Sequence, residues 1–486
     1  MLRIYNPAQC KNKMTRSFQL LTICIFLLLI LPWIIQDGMF MDGMIYATVA
    51  RNLSLGIGSW WHLHLTDYLS PTYLDQPPLT IWITSFYFKL FGYSMYTERI
   101  YSFSTAIINL LLIKALWQKI NKNRPEYKNY WWLPVLLWII PPACFWSFTN
   151  NMEENTMSIF ILSSLYFMIS AIQKQSNRLI SVLLMAVCIF LSAMCKGIQG
   201  TFTAIGFLAY ALTIDRSYMR TAFKYTVSIV IALAICGLGL YLYTPATDYF
   251  IGYYHTRILN TFINPEMATT ETRFYLLLRL LSEQITPILL CITILVLSVK
   301  YKLKINSIAK LDNRKFALLF LLIALAGTLP LLVTAEQRRF YLVPTFPFYA
   351  MAFSFLVIEH LTNLMERLNS TILQTIVKLF SFAIIIVTII LTITNFGTAK
   401  RDKEMLSDIY KIGKLVPQNS TIAIDSELFR TWVLHLYFQR YYGISLDATA
   451  ENKNQVYFLK RKNGSELSNY EKIDLELSEF NFYKKY

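Results

Sequence analysis

Residues 20–42 read LLTICIFLLLILPWIIQDGMFMD, and this stretch decides the fold. The run from Leu20 to Ile35 holds no charged side chain, and Lys11, Lys13 and Arg16 precede it. A helix rising about 1.5 Å per residue crosses a hydrocarbon layer of about 30 Å with about 20 such residues. No small-residue cleavage site follows, so a retained first span is expected rather than a signal peptide. Two carboxylates, Asp37 and Asp42, sit where the run ends.

The same pattern recurs along the chain. Apolar runs lie near 18–36, 101–118, 131–149, 156–173, 179–195, 198–214, 226–244, 286–299, 316–333, 341–358 and 374–395, about eleven in all. The run 198–214 is short and tightly coupled to its predecessor. A re-entrant pair there, or a further span near 78–92, would change the count, so the range is about 11–13. Composition agrees: 55% of residues are hydrophobic and 15% charged, where a soluble chain carries about 25% charged residues. Trp33, Trp60, Trp61, Trp117, Trp131 and Trp132 mark the edges of runs, where an amphipathic ring sits among headgroups.

The net charge of +16 does not call for nucleic acid. Its cations concentrate in short loops: Lys119, Lys122, Arg124 and Lys128, then Lys174 and Arg178, then Arg216, Arg220 and Lys224, then Lys300, Lys302, Lys304, Lys310, Arg314 and Lys315. All fall on the side of the basic N-terminus, which the positive-inside rule makes cytoplasmic. An odd number of spans then puts the chain after about Asn395 outside. The seven cysteines avoid the long outer loops and the tail and form no CxxC, which argues against a disulfide framework or a zinc ribbon.

Two domains are expected. Residues 1–395 form a transmembrane domain with long outer loops at about 37–97 and 245–285, and 396–486 form a small α/β domain. In the tail, Ser420–Asp425 and Gln455–Leu459 are short, apolar and β-prone, between turn-like segments such as Lys462-Asn463-Gly464.

The chemistry-bearing residues gather in the outer segments. After the first span, Asp42, Tyr46 and Ala50 share one helix face. A carboxylate beside the membrane is partly desolvated and accepts a proton more readily, but an aspartate there also caps a helix, and spacing does not choose. In Tyr73-Leu74-Asp75-Gln76-Pro77-Pro78-Leu79 the prolines fix a bend, a common structural device. Adjacent acids, Glu153 and Glu154, occupy another outer turn. Lys196 ends an apolar run just before Gly197; it snorkels or meets an anion. Glu336-Gln337-Arg338-Arg339 adds arginines on the side poor in them, and guanidinium forks match phosphate oxygens. His62 and His64 with Asp67 read as an interfacial pair more readily than as a metal site.

The order Asp42…Tyr46-Ala47-x-x-Ala50-Arg51, Tyr73-x-x-x-Pro77-Pro78-Leu79, Phe91-Gly92-x-Ser94 with Glu98-Arg99, Lys196-Gly197 and Arg339-x-Tyr341-Leu342-x-Pro344-x-x-Pro347 resembles the ArnT-like glycosyltransferases. These are relatives of the protein O-mannosyltransferases in the polytopic GT-C class. The resemblance spans roughly residues 20–360. It implies an α-class transmembrane helical bundle with outer-face loop helices, a polyprenyl-phosphate sugar as donor, and release of polyprenyl phosphate. It also implies Asp42 and Glu154 as catalytic carboxylates. Tyr73, Lys196, Arg339, Tyr341 and Arg51 would bind the donor phosphate, and Tyr46, Asp75, Pro77 and Pro78 would position it. This sequence departs from the family at Gly43, where Asp-Glu is usual, and at Asp75-Gln76, where an acid-lysine pair is usual. Arg338, Arg339 and Arg257 are candidates to replace that lost cation.

The expected activity is inverting sugar transfer from a polyprenyl (undecaprenyl) phosphate to a lipid A-like or protein acceptor, with Asp42 as general base. No cofactor is expected, and no metal is expected to be essential. The expected partners are the lipid-linked donor, the acceptor and membrane lipids. The expected place is a bacterial inner membrane, with the C-terminal domain periplasmic. The alternatives are a lipid or solute transporter or flippase, or a polymerase or ligase of the same fold. A transporter would more commonly show polar helices at mid-membrane and repeated halves.

Overall fold

The computed structural model describes residues 7–173, 177–259, 274–334, 336–368, 370–449, 455–462, 467 and 469–486. Lys174, the middle of the second outer segment (260–273) and Asn463-Gly464 lie outside the described residues. Among the described residues nine helical segments, from Lys13–Ile34 to Thr371–Asn395, are long and apolar enough to cross a membrane.

Two of the expected spans are shaped by single residues. The run 131–149 is not one rod but a pair of helices, Pro125–Ile139 and Pro142–Thr149, bent by 83°. Pro141 has no N–H to continue the first helix and turns the chain away at φ −57°, ψ 130°, while Pro142 opens the second. The segment Arg178–Thr213 is a single apolar stretch of 36 residues that folds back on itself. Its first helix ends at Lys196, and Gly197 takes φ 67°, ψ −147°, a conformation open essentially only to glycine. Beyond it, a Cβ on Gly200 would lie 2.5 Å from the Ser192 carbonyl, and one on Gly206 3.6 Å from Met185 Cε. Rising numbers on one arm face falling numbers on the other, so the arms are antiparallel, joined by the 3₁₀ turn Gly197–Ile205. The alternative span near 78–92 is a helix of 13 residues, Leu79–Phe91, about 20 Å long and too short to cross alone.

The basic loops meet at one end of the bundle. Gln173 Nε2 donates to Lys119 O at 2.9 Å, Arg124 to Asn313 Oδ1 at 2.8 Å and Asn363 Nδ2 to Lys304 O at 2.8 Å. A second layer covers the opposite end. There the helices Met41–Ser54 and Leu79–Phe91 share one apolar core with the C-terminal region, joining Met44, Val49, Ile81 and Phe88 to Leu406, Ile422, Leu436 and Phe482. The C-terminal region is a five-stranded sheet in the order β2-β1-β3-β5-β4, with β1 Thr421–Ile424, β2 Ser445–Asp447, β3 Tyr457–Arg461, β4 Tyr470–Ile473 and β5 Phe480–Lys485. β1 is parallel to β2 and β3, and β5 antiparallel to β3 and β4.

That layer is pinned to the bundle by polar contacts. Asp37 accepts from Tyr410 at 2.5 Å and Tyr441 at 2.9 Å, and its N–H donates to Thr398 O at 3.1 Å. Arg440 pairs with Glu98 at 2.6 Å and donates to the carbonyls of Tyr93 and Ser94 at 3.1 and 2.8 Å. Arg99, in the first turn of the second span, donates to Thr149 O at 2.5 Å and to Gly38 O.

Candidate active site

The second layer and the bundle end enclose a cluster of ionisable residues. Asp42 occupies the first turn of Met41–Ser54, but Phe40 is the N-cap and no side chain caps this helix. The capping reading of Asp42 therefore fails. Its carboxylate has no hydrogen-bond or ion-pair partner among the described residues, and the half-buried group is pushed up to about 6. Burial is the main cause, with Glu154 and Glu336 adding to it and Lys196 and Arg257 opposing it.

The acidic turn meets the same helix. Phe40 N–H donates to Asn150 Oδ1 at 3.0 Å and Asn151 Nδ2 to Gly43 O at 3.2 Å. This clamp places Glu153 and Glu154, which open the next span, beside Asp42. Glu154 is fully buried and pairs with Lys196 at 2.6 Å. The Lys196 ammonium lies 4.9 Å over the Tyr341 ring and 5.9 Å over Phe340. Gln199 Nε2, from the 3₁₀ turn, donates to Tyr341 O at 2.8 Å, tying the fold-back to the segment that presents Tyr341.

The first outer loop closes another wall. Tyr73 is buried and its N–H donates to Leu63 O at 2.8 Å. Pro77 and Pro78 are buried, with Pro78 as N-cap of Leu79–Phe91, and Tyr249 donates to Gln76 O at 2.6 Å. Asp75 is raised by burial and Glu336 while Arg257 opposes the rise. Burial, then Glu153, raises Tyr46 and Tyr73 well above the ordinary phenol value, so both remain hydroxyl donors.

Nine of the eleven sequence candidates are thus brought together: Asp42, Tyr46, Tyr73, Asp75, Pro77, Pro78, Glu154, Lys196 and Tyr341. Arg51 and Arg339 stand elsewhere. Arg51 turns toward the C-terminal layer, 3.4 Å from Gln439 O and 5.9 Å over the Tyr93 ring, and burial and Arg440 pull it down to about 10. Arg339 stacks 5.1 Å over Trp146, across Phe340 from Tyr341.

Three residues beyond those eleven join the cluster, and one of them, Arg257, is among the arginines the sequence offers in place of the lost cation. Arg257 bonds Glu336 at 3.0 Å, and Glu153 is fully buried with no hydrogen-bond partner for either carboxylate oxygen among the described residues. Glu153 stands beside Glu154 in sequence, but adjacency does not say which acid faces Lys196. Arg257 lies in a long outer segment without a local motif. For a metal the cluster offers little: among the described residues no group of three His, Cys, Asp or Glu is placed to hold one. His64 uses Nδ1 on Pro71 O at 2.8 Å and Nε2 on Asp67 at 3.3 Å.

Residues 75–241 match a family model described as dolichyl-phosphate-mannose-protein mannosyltransferase. The crystal structure of ArnT from Cupriavidus metallidurans in the apo state superposes with a TM-score of 0.63 at 12% identity, over 96% of this chain and 97% of that one. The same protein bound to undecaprenyl phosphate gives 0.63 at 11% identity, over 95% and 97%. The fold is that of the ArnT-like GT-C glycosyltransferases. No curated protein matches the chain by sequence.

Within the GT-C fold, the departure at Gly43 has a physical cause. A Cβ there would fall 2.0 Å from the Asn150 carbonyl oxygen and 2.7 Å from Met39 Sδ. The helix lies too close to the acidic turn for any side chain. At the other departure, Gln76 supplies its backbone carbonyl to Tyr249, and Arg257 is the cation within electrostatic reach of Asp75.

Proposed function

We propose that this protein transfers a sugar from a polyprenyl phosphate, undecaprenyl in a bacterial inner membrane, to a hydroxyl or amine of a lipid or protein acceptor. The reaction inverts the anomeric carbon and takes place at the outer face, the end opposite the basic loops. One observation carries this reading: the Asp42 carboxylate is unpaired among the described residues, held near 6, and within electrostatic reach of Lys196 and Arg257.

Asp42 takes the acceptor's proton as the acceptor oxygen or nitrogen bonds to C1. The C1–O bond to phosphate breaks, and its electron pair leaves on the phosphate. Lys196 and Arg257 offset that charge in a site shielded from water, where fixed charges act most strongly. The Glu154 ion pair keeps Lys196 charged and aimed along the Tyr341 ring. Tyr46 and Tyr73 supply hydroxyls for the sugar or phosphate, while Asp75, Pro77 and Pro78 shape the wall. Arg51 and Arg339 act from outside this cavity.

The likeness to an ArnT structure that holds undecaprenyl phosphate, and the match to a family described by a dolichyl-phosphate donor, support a polyprenyl-phosphate sugar as donor. The two point to different acceptors, so the acceptor is proposed only by class. A transporter is not favoured, because the ionisable cluster lies at one end of the bundle under a protein lid.

The test incubates the purified full chain with labelled polyprenyl-phosphate sugars and membrane-derived acceptors. Release of polyprenyl phosphate is expected. Asp42→Asn should cut release by about 10²-fold or more, the usual share of a general base, with insertion and abundance unchanged. Near-normal turnover in that variant sinks the assignment, and lipid movement without release sinks the transferase reading.

A further inference from the structure

A second cationic site lies beside the cavity. Phe40, Trp146, Tyr275, Arg279, Arg338 and Arg339 line a cleft of about 280 Å³, with Gln337 and Phe340 completing it. An aromatic wall separates it from Lys196: Phe340 packs on Phe40 and Trp146 with centroids 5.9 and 5.7 Å away. Lys196 lies over Phe340 and Tyr341 on the other side.

The arginines are arranged to receive an anion. Arg279 stacks 4.8 Å over Tyr275 and Arg339 5.1 Å over Trp146. Stacking fixes the plane of a guanidinium and leaves its N–H edges free for a bidentate oxyanion such as phosphate. Among the described residues neither guanidinium has a hydrogen-bond or ion-pair partner, whereas Arg338 is bonded to Glu336 at 3.0 Å. Glu283 is within electrostatic reach of Arg339 and Arg279, and it accepts the Ala143 N–H at 2.7 Å. Among the described residues, three arginines against Glu283 and a Glu336 shared with Arg257 leave the cleft positive.

Its depth identifies the source of the anion. Tyr275 and Arg279 stand in the first turns of the span Tyr275–Lys300, and the neighbouring Phe274, Leu278 and Leu281 are 70%, 64% and 58% exposed. An apolar surface this open at a span's end faces acyl chains, with the arginines at headgroup level. We propose that this cleft binds the phosphate of an anionic lipid headgroup, as a second phosphate site distinct from the Lys196 cavity. The proposal is independent of the transfer reaction.

The test titrates the full chain in detergent with short-chain phosphatidylglycerol, the matching phosphatidylcholine, or inorganic phosphate alone, and counts bound molecules by native mass spectrometry. Phosphatidylglycerol should bind at least tenfold tighter than phosphatidylcholine. R279A/R339A should lose at least tenfold of that affinity, and R367A, at the opposite end, should lose none. R279K/R339K, which keeps the charge but not the fork, should fall between and serves if the alanine variant does not fold. Equal binding of the two lipids, or unchanged binding in both double variants, overturns the proposal. An equal loss in R367A overturns it too. Inorganic phosphate binding as tightly as the lipid overturns the lipid assignment in favour of a free anion.

Discussion

Asp42 is held in a state that costs the fold stability. A half-buried carboxyl raised from 3.8 to about 6 keeps its proton more tightly in the folded chain than in the unfolded one. Its penalty is absent below about pH 4 and grows as pH rises toward 6 and beyond, with a ceiling of about 3 kcal/mol. Asp42→Asn should therefore raise the melting temperature by a few degrees at pH 8 and by less at pH 5, while removing activity. An equal shift at both pH values would count against a buried anion. In the wild type, kcat/KM should climb with pH through about 6 and level off above it, since only the carboxylate accepts a proton; a flat profile from pH 5 to 8 would rule Asp42 out as the base. Gly43→Ala should lower turnover by about 10²-fold through displacement of Asp42, because its Cβ meets the Asn150 carbonyl at 2.0 Å and small misplacements are costly. At this scale the sequence was partly legible. Asp42, Tyr73, Lys196 and Tyr341 each carry a short local signature. The partners Arg257 and Glu336 do not, since their pairing spans 79 positions and no periodicity encodes it.

At the scale of elements, hydropathy located the apolar runs, because a bilayer reads only length and polarity. It could not see their shape. The bend at Pro141 and the fold-back at Gly197 come from one missing N–H and one missing Cβ, which average hydropathy does not register. The fold-back matters for the site because Lys196 is the last residue of its helix, and Gly197 turns the chain so that Gln199 reaches Tyr341 O. Gly197→Ala is expected to cost roughly 1–3 kcal/mol in backbone strain, and its Cβ would stand 3.2 Å from the Tyr253 hydroxyl. The variant should melt lower and bind the lipid-linked donor more weakly, raising KM more than it lowers kcat. Unaltered melting and KM would show that the turn does not need glycine.

Across the whole molecule, two large apolar cores are stacked among the described residues. One is the bundle, and the other joins the outer-loop helices to the C-terminal sheet. The C-terminal sheet region was legible from the change in composition after residue 395. Its docking was not, because Arg440 and Glu98 are 342 positions apart and neither Arg440 nor the Glu98-Arg99 pair carries a signal that names the other. Both are in fact buried, at 0% and 1% side-chain exposure, inside the layer that roofs the site. Removing one partner of a buried pair leaves an uncompensated charge and costs about 3–5 kcal/mol. Arg440→Met should therefore loosen the roof, seen as a lower melting temperature and faster proteolysis between residues 396 and 430 in detergent. The double variant E98Q/R440M should recover part of that loss, since it removes the stranded carboxylate. Recovery should stop short of wild type, because Arg440 also donates to the Tyr93 and Ser94 carbonyls and methionine removes both bonds, leaving Ser94 O only the Thr97 N–H at 3.2 Å. If the double variant melts no higher than Arg440→Met alone, the ion pair is not what couples the two cores.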